Sequence, residues 1–192
     1  MRLRFQALVL IGLACARTAH ADEVADDIAK AAAAWQAHNT SDTLTALNAA
    51  SNAVHQVRAQ ALEAMLPLPL PGWIADPAKT STLGADMLGG ATSATRTYRN
   101  GPQRVEVEIT TDSPMLQNMA ALLATPYAQA AGVTTVAIDG RSVSYTANDN
   151  SYMTLVADKV IVKVAGNKDT PEPVLRTFVA AVDFGAAAKL AH

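Results

Sequence analysis

The chain of 192 residues has one cysteine, Cys15, so it offers neither a disulfide framework nor a thiolate cluster for a metal. It is poor in charge, at 17% Asp, Glu, Lys and Arg, and no basic residues run together. That scarcity argues against nucleic acid as a partner, which calls for a clustered basic face. It also leaves no basic amphipathic helix for an anionic membrane. Aromatic residues are only 5% of the chain, so each one's position is informative. There is no Gly-x-Ser-x-Gly elbow for a serine hydrolase, and Gly89-Gly90 lacks the spacing of a phosphate-binding loop.

The longest apolar run lies at the start. Arg2 and Arg4 precede the run from Phe5 to Ala16, and Ala19-His20-Ala21 follows as a small-x-small cleavage pattern. The run is too short to span a bilayer, and the three parts together read as a secretory signal peptide over residues 1–21. The expected location is periplasmic or secreted, after cleavage following Ala21. Cys15 follows Gly12-Leu13-Ala14, with glycine where a lipid-attachment site has leucine, and the Ala-His-Ala site is better formed. A chain beginning at Asp22 has no thiol and a formal net charge of −5, because Arg2, Arg4 and Arg17 leave with the leader. No later segment reads as transmembrane.

Residues 22–66 read as a helical arm. Asp22, Glu23, Asp26 and Asp27 suit the positive end of a helix dipole, and the alanines at 31–34 favour helix. Asn39-Thr40-Ser41-Asp42 interrupts the pattern and offers N-caps for a second helix, which suggests a helical hairpin. In that second helix Leu44, Leu47, Val54, Ala61 and Met65 form one thin stripe with Val57 at its edge. The stripe fits packing on the first helix or on another subunit. Residues 67–80 are a proline-rich connection. The prolines within Leu66–Trp73 force an extended path, a stiff spacer with Trp73 packed at its end, or else a docking motif for a proline-recognising module.

Residues 81–192 change period. Arg104–Thr111 alternates, with Val105, Val107 and Ile109 on one side and Arg104, Glu106, Glu108 and Thr110 on the other, as in a strand with one buried face. Thr92–Tyr98 precedes it across Asn100-Gly101, a hairpin signal, and Thr82–Met87 reads as a weak first strand. Ser113-Pro114 opens a helix with Met115, Met119 and Leu122 on one face. Val133–Ile138 turns through Asp139-Gly140 into Arg141–Ala147, and Tyr152–Val156 pairs with Val160–Ala165. Thr170-Pro171 starts a last helix with Val174, Leu175, Phe178, Val179 and Val182 on its stripe. The expected fold is α+β: an antiparallel sheet of about six strands, packed by two helices and preceded by the helical arm.

Few residues converge on a chemistry. His38 and His55 lie 17 apart on the arm, across which they could face each other near Asp42, short of the three or four ligands zinc needs. His192 is terminal. Met115 and Met119 could offer thioethers to copper, but they occupy the face that must cover the sheet. Glu106 and Glu108 share a strand face and could form an acid–base pair in a hydrolase, or simply be a solvated outer face flanked by Arg104. Trp73, Arg96, Tyr98, Arg99, Tyr145 and Tyr152 could line an edge groove for a peptide or small anion, or pair across strands. No catalytic residue, metal or cofactor is expected.

The run of Arg104–Thr111 into Ser113-Pro114, and the hairpin strand Val160–Ala165 feeding a helix that ends Ala181-Val-Asp-Phe184, resemble the sandwich of the photosystem extrinsic PsbP proteins and the bacterial DcrB-like exported proteins. The resemblance covers about half of the chain after the leader. It implies a noncatalytic accessory or binding role, and the arm at 22–66 departs from it. The expected function is a noncatalytic exported binding or assembly module, whose partner is another envelope protein or a second copy held through the arm. Alternatives are a carboxylate hydrolase using Glu106 and Glu108, and a carrier of a small apolar ligand or lipid in a cleft between sheet and helix.

Overall fold

A computed structural model describes residues 9–82, 91–111 and 132–190, with side chains from residue 22 onward. The order is α1 (Val9–Gln36), α2 (Thr40–Met65), β1 (Ile74–Ala75), β2 (Lys79–Thr82), β3 (Thr92–Asn100), β4 (Gln103–Thr111), β5 (Val133–Ile138), β6 (Arg141–Thr146), β7 (Ser151–Val156), β8 (Val160–Gly166), α3 (Glu172–Ala180) and α4 (Phe184–Leu190). The chain divides into two compact units at Arg58/Ala59. The helix expected from Ser113-Pro114, with Met115 and Met119, lies outside the described residues, as do His192, residues 83–90 and the side chain of Cys15.

The first unit is helical. The α1–α2 turn is set by its own chemistry. His38 adopts a left-handed conformation at φ 58°. Its N–H donates to the Trp35 carbonyl at 3.0 Å and the Asn39 N–H to the Ala34 carbonyl at 2.9 Å, which closes the last turn of α1. Asn39 then caps α2: its Oδ1 accepts the Asp42 N–H at 3.1 Å and its Nδ2 donates to the Asp42 carboxylate at 2.6 Å. The buried side chains of this unit are Ala31, Ala50, Ala53 and Asp27. One alanine methyl contributes about 0.8 kcal/mol on burial, so this interior is thin.

The second unit is the α+β fold. Its sheet is antiparallel throughout and has eight strands rather than about six, in the order β1-β3-β4-β8-β7-β6-β5 with β2 also on β3. The two extra pairings come from short strands the connection contributes. β1 holds two residues and β2 is the wholly exposed Lys-Thr-Ser-Thr, so neither has an apolar alternation to reveal it. Residues 92–100 and 103–111 pair from Thr92–Thr111 to Asn100–Gln103. The loop between them is Gly101-Pro102, with Gly101 at φ 56°, where glycine supplies the positive φ and proline needs no ladder hydrogen bond. Asp139-Gly140 turns with φ 48° and 75° between Ile138 and Arg141.

Val105, Val107 and Ile109 of β4 sit opposite Gly166, Val164 and Val162 of β8, and the five branched residues among these are all buried. Tyr98, Val143 and Tyr152 extend the same face. Full burial of such aliphatic side chains contributes about 1.5–3 kcal/mol each, which makes this face the core. Leu175, Phe178, Val179 and Val182 cover it from α3 and beyond, as the stripe predicts. The helix stops at Ala180, however, and a separate α4 follows. Asp183 caps it, its carboxylate accepting the Ala186 N–H at 2.9 Å, so Phe184 and Ala187 also reach the core.

A third layer element comes from the end of α2. Leu62, Met65 and Leu66 belong to the core cluster, so the last turns of the expected arm pack on the sheet. Met65, placed on the arm stripe with Leu44 and Leu47, is buried, while Leu44, Leu47, Val54 and Val57 are exposed. Among the described residues no helix is long and apolar enough to cross a membrane.

Candidate functional site

The four aromatic residues singled out from the sequence gather beside α3, Trp73 and Tyr98 on Phe178, and Tyr152 on Glu172 with Tyr145 against it. Register puts Arg96 and Tyr98 on the core face of β3, opposite Val107 and Val105. Tyr98 is fully buried, and its hydroxyl donates to the Pro67 carbonyl at 2.6 Å. Its ring lies 4.8 Å from that of Phe178, and Trp73 meets Phe178 edge-on at 5.1 Å. The proline-rich connection is thereby pinned at Pro67 and Trp73, while Leu68 and Ile74 point out at 80% and 74% exposure. Arg96 reaches the Glu63 carboxylate at 3.5 Å. Burial raises the Tyr98 pKa above its ordinary value, and the neighbouring Arg96 opposes the shift.

On the other side of the sheet centre, Tyr145 and Tyr152 are direct cross-strand partners with rings 4.8 Å apart. Tyr152 is buried, and its hydroxyl donates to the Glu172 carboxylate, which also approaches Arg176 Nε at 3.4 Å. Burial first, and the Glu172 carboxylate second, raise the Tyr152 pKa, against the pull of Arg176. A phenol so placed stays protonated and acts as a fixed donor. Arg99 points to the opposite face and binds Asp76 at 2.6 Å. Five of the six residues thus flank one layer, and Arg99 does not. Tyr98 and Tyr152 are core residues with occupied hydroxyls, not the walls of an open groove, because the period of two sends them inward with the valines.

Beside this cluster lies a polar knot built on Asn150, Asn167 and Thr170. Asn150 Nδ2 donates to the carbonyls of Asn167 at 3.1 Å and Thr170 at 2.9 Å, and Asn150 Oδ1 accepts the Tyr145 hydroxyl at 3.1 Å. Asn167 Nδ2 donates to the Pro102 carbonyl at 2.8 Å, and Asn167 Oδ1 accepts the Arg104 N–H at 3.1 Å. The Thr170 hydroxyl lies 3.0 Å from the Arg104 carbonyl. Three loops, before β4, before β7 and after β8, are tied by these bonds. Side chains so engaged stabilise a fold and leave little to offer a ligand. Among the described residues every buried side-chain polar atom has a partner.

The carboxylates considered for catalysis stand on the outer face of β4. Glu106 is 3.5 Å from Arg104, and Glu108 accepts the Thr110 hydroxyl at 3.4 Å. His38 sits in the α1–α2 turn, whereas His55 lies about 22 Å up α2 at 1.5 Å per residue, so the two do not face each other. The 17-residue spacing misled because the turn falls beside His38 instead of midway. No group of three or more His, Cys, Asp or Glu comes together among the described residues.

A concave feature of the first unit lies within the helical arm. Ile28, Ala31, Ala32 and Trp35 of α1, with Thr40, Thr43, Leu44 and Leu47 of α2, line a groove of about 680 Å³. Its rims are large apolar side chains held in solvent: Trp35 is 64% exposed, Leu44 62% and Ile28 54%. Ile28 and Trp35 recur at i, i+7 with alanines between them, a signal the sequence carried and the run of alanines obscured. Lys30 binds Asp27 at 2.7 Å, which raises the lysine pKa. No family model, curated protein or solved structure matches the chain.

Proposed function

We propose that the protein is a noncatalytic exported module that binds or assembles through its helical arm. One observation carries this reading: the arm buries alanine and presents Ile28, Trp35, Leu44, Leu47, Val54 and Val57 to solvent. Apolar surface of that extent on a soluble chain marks an interaction site. The sheet unit supports the same view, since Tyr98, Tyr145, Tyr152, Asn150 and Asn167 are spent on internal bonds. An accessory role also agrees with what the PsbP-like and DcrB-like resemblance implies. Export follows from the leader pattern at residues 1–21.

The test is photo-crosslinking in the native cell, with the photoreactive residue at Trp35 or Leu47 on the arm and at Thr80 on β2 as control. Protein adducts at the arm positions and none at Thr80 are expected. Absence of any protein adduct at both arm positions refutes the docking role. A second reading, a carrier of a small apolar ligand, draws on the groove volume, which lies in the range of small-molecule sites. A co-purified lipid or amphiphile in native mass spectrometry, lost in Leu44→Asp, would favour it.

A further inference from the structure

This inference rests on the arm being the docking element and names what docks. At their exposures the four large side chains that rim the groove, Ile28, Trp35, Leu44 and Leu47, present roughly 500 Å² of apolar surface, within the upper range of what a monomer's largest patch shows. Two such patches face to face bury about 1,000 Å², the area a specific interface has to reach. The geometry has both halves of a contact on one surface. Ile28, Trp35, Leu44 and Leu47 are ridges, and Ala31 and Ala32 floor the groove between them. A surface that carries knob and hole together is what a two-fold, self-complementary interface requires.

Charge points the same way. From Ile28 to Val57 the ionised side chains are Lys30 and Asp42 alone, with His38 and His55 besides. Lys30 is held by Asp27, and Asp42 by Asn39. Two copies can therefore meet without bringing like charges together, and an acidic or basic partner has nothing to pair with. We propose that this face is the interface of a homodimer, two copies of the chain joined arm to arm, with each Trp35 seated in the alanine-floored groove of the other. Trp35 is the anchor, being the largest and most exposed of the rim residues in the groove.

Light scattering on the full-length gene product as cells process it, with its N-terminus read by mass spectrometry, tests this over a dilution series. The expected mass is that of two chains, with Leu44→Asp/Leu47→Asp weakening dimerisation by roughly a hundredfold or more. Because the double variant also removes apolar side chains from the helical arm, Leu47→Cys provides an independent readout: oxidation yields a covalent dimer, and Thr80→Cys on β2 does not. A single-chain mass at roughly 100 μM, with no Leu47→Cys crosslink, overturns the homodimer. If arm crosslinks in cells then go to a different protein, the docking role stands and only its occupant is wrong. A monomer that floats with phosphatidylcholine vesicles overturns the homodimer and assigns the patch to lipid.

Discussion

Replacing Asn150 separates two contributions that the structure places on one residue. Its amide donates to the carbonyls of Asn167 and Thr170 and accepts the Tyr145 hydroxyl, and its backbone is left-handed at φ 43°. A typical hydrogen bond contributes about 1 kcal/mol net, and water can reach the half-buried site, so losing the three costs about 2 kcal/mol. Asn150→Gly removes the bonds and keeps the backbone comfortable. Asn150→Ala removes the same bonds and adds about 1 kcal/mol for the left-handed conformation. The expected losses are therefore about 2 and about 3 kcal/mol. The assay is equilibrium urea unfolding followed by Trp73 fluorescence in a Trp35→Phe background, where Trp73 is the remaining tryptophan. At a slope near 2 kcal/mol per molar, the glycine variant's midpoint falls by about 1 M. Equal midpoints for Gly and Ala refute the backbone argument, and a glycine variant within about 0.3 kcal/mol of the parent refutes the claim that the knot stabilises the sheet unit.

Other outcomes follow from single features. His38→Gly relieves the left-handed residue in the α1–α2 turn and should stabilise the arm by about 0.5–1 kcal/mol, read by Trp35 fluorescence in a Trp73→Phe background. Phe178→Ala empties the space against Trp73 and Tyr98 and should cost about 3–5 kcal/mol, with loss of the Trp73 near-ultraviolet signal. Gly166→Ala would set a methyl 2.9 Å from Leu175 Cδ2 and 3.0 Å from the Asn150 amide, an overpacking cost of about 1–3 kcal/mol measurable as a lower urea midpoint. Tyr152 has a folded pKa raised above the ordinary 10.0, so the folded state holds its proton more tightly than the unfolded chain. Its stabilising effect is whole below pH 10 and is lost as pH rises through the folded value, so unfolding free energy should fall above about pH 10, less steeply in Tyr152→Phe.

The α+β class was legible because Val105, Val107 and Ile109 alternate without interruption and Leu175, Phe178 and Val179 recur at helical spacing. Both are strong periodic signals that tertiary context reinforced. A cap for α2 within Asn39–Asp42 was legible for a local reason, since the Asn39 side chain bonds three residues ahead. What escaped depended on distance or on weak pattern. The core role of Leu62 could not be read because α2 changes environment along its length, alanine-rich below and sheet-facing at its end. The break before α4 escaped because Val182 continues the α3 stripe at i, i+7 from Leu175, even though Asp183 is a competent cap. The inward placing of Tyr98 and Tyr152 was implicit in the same alternation that placed the valines, yet polar hydroxyls suggested surface. Their partners, the Pro67 carbonyl and Glu172, lie 31 and 20 residues away, beyond any local rule.

The joint between β4 and β8 has a kinetic meaning. The strand pairs on either side of it, β3 with β4 and β5 through β8, connect neighbours in sequence and can zip from their turns within microseconds. Joining Thr111 to Val160 instead closes a long excursion of chain, so the two meanders should form early and this union should limit the rate of folding. The entropy of such a closure grows only with the logarithm of length, by about 0.6 kcal/mol per doubling. The stretch between β4 and β5 can therefore lengthen over evolution at small cost to the sheet it interrupts.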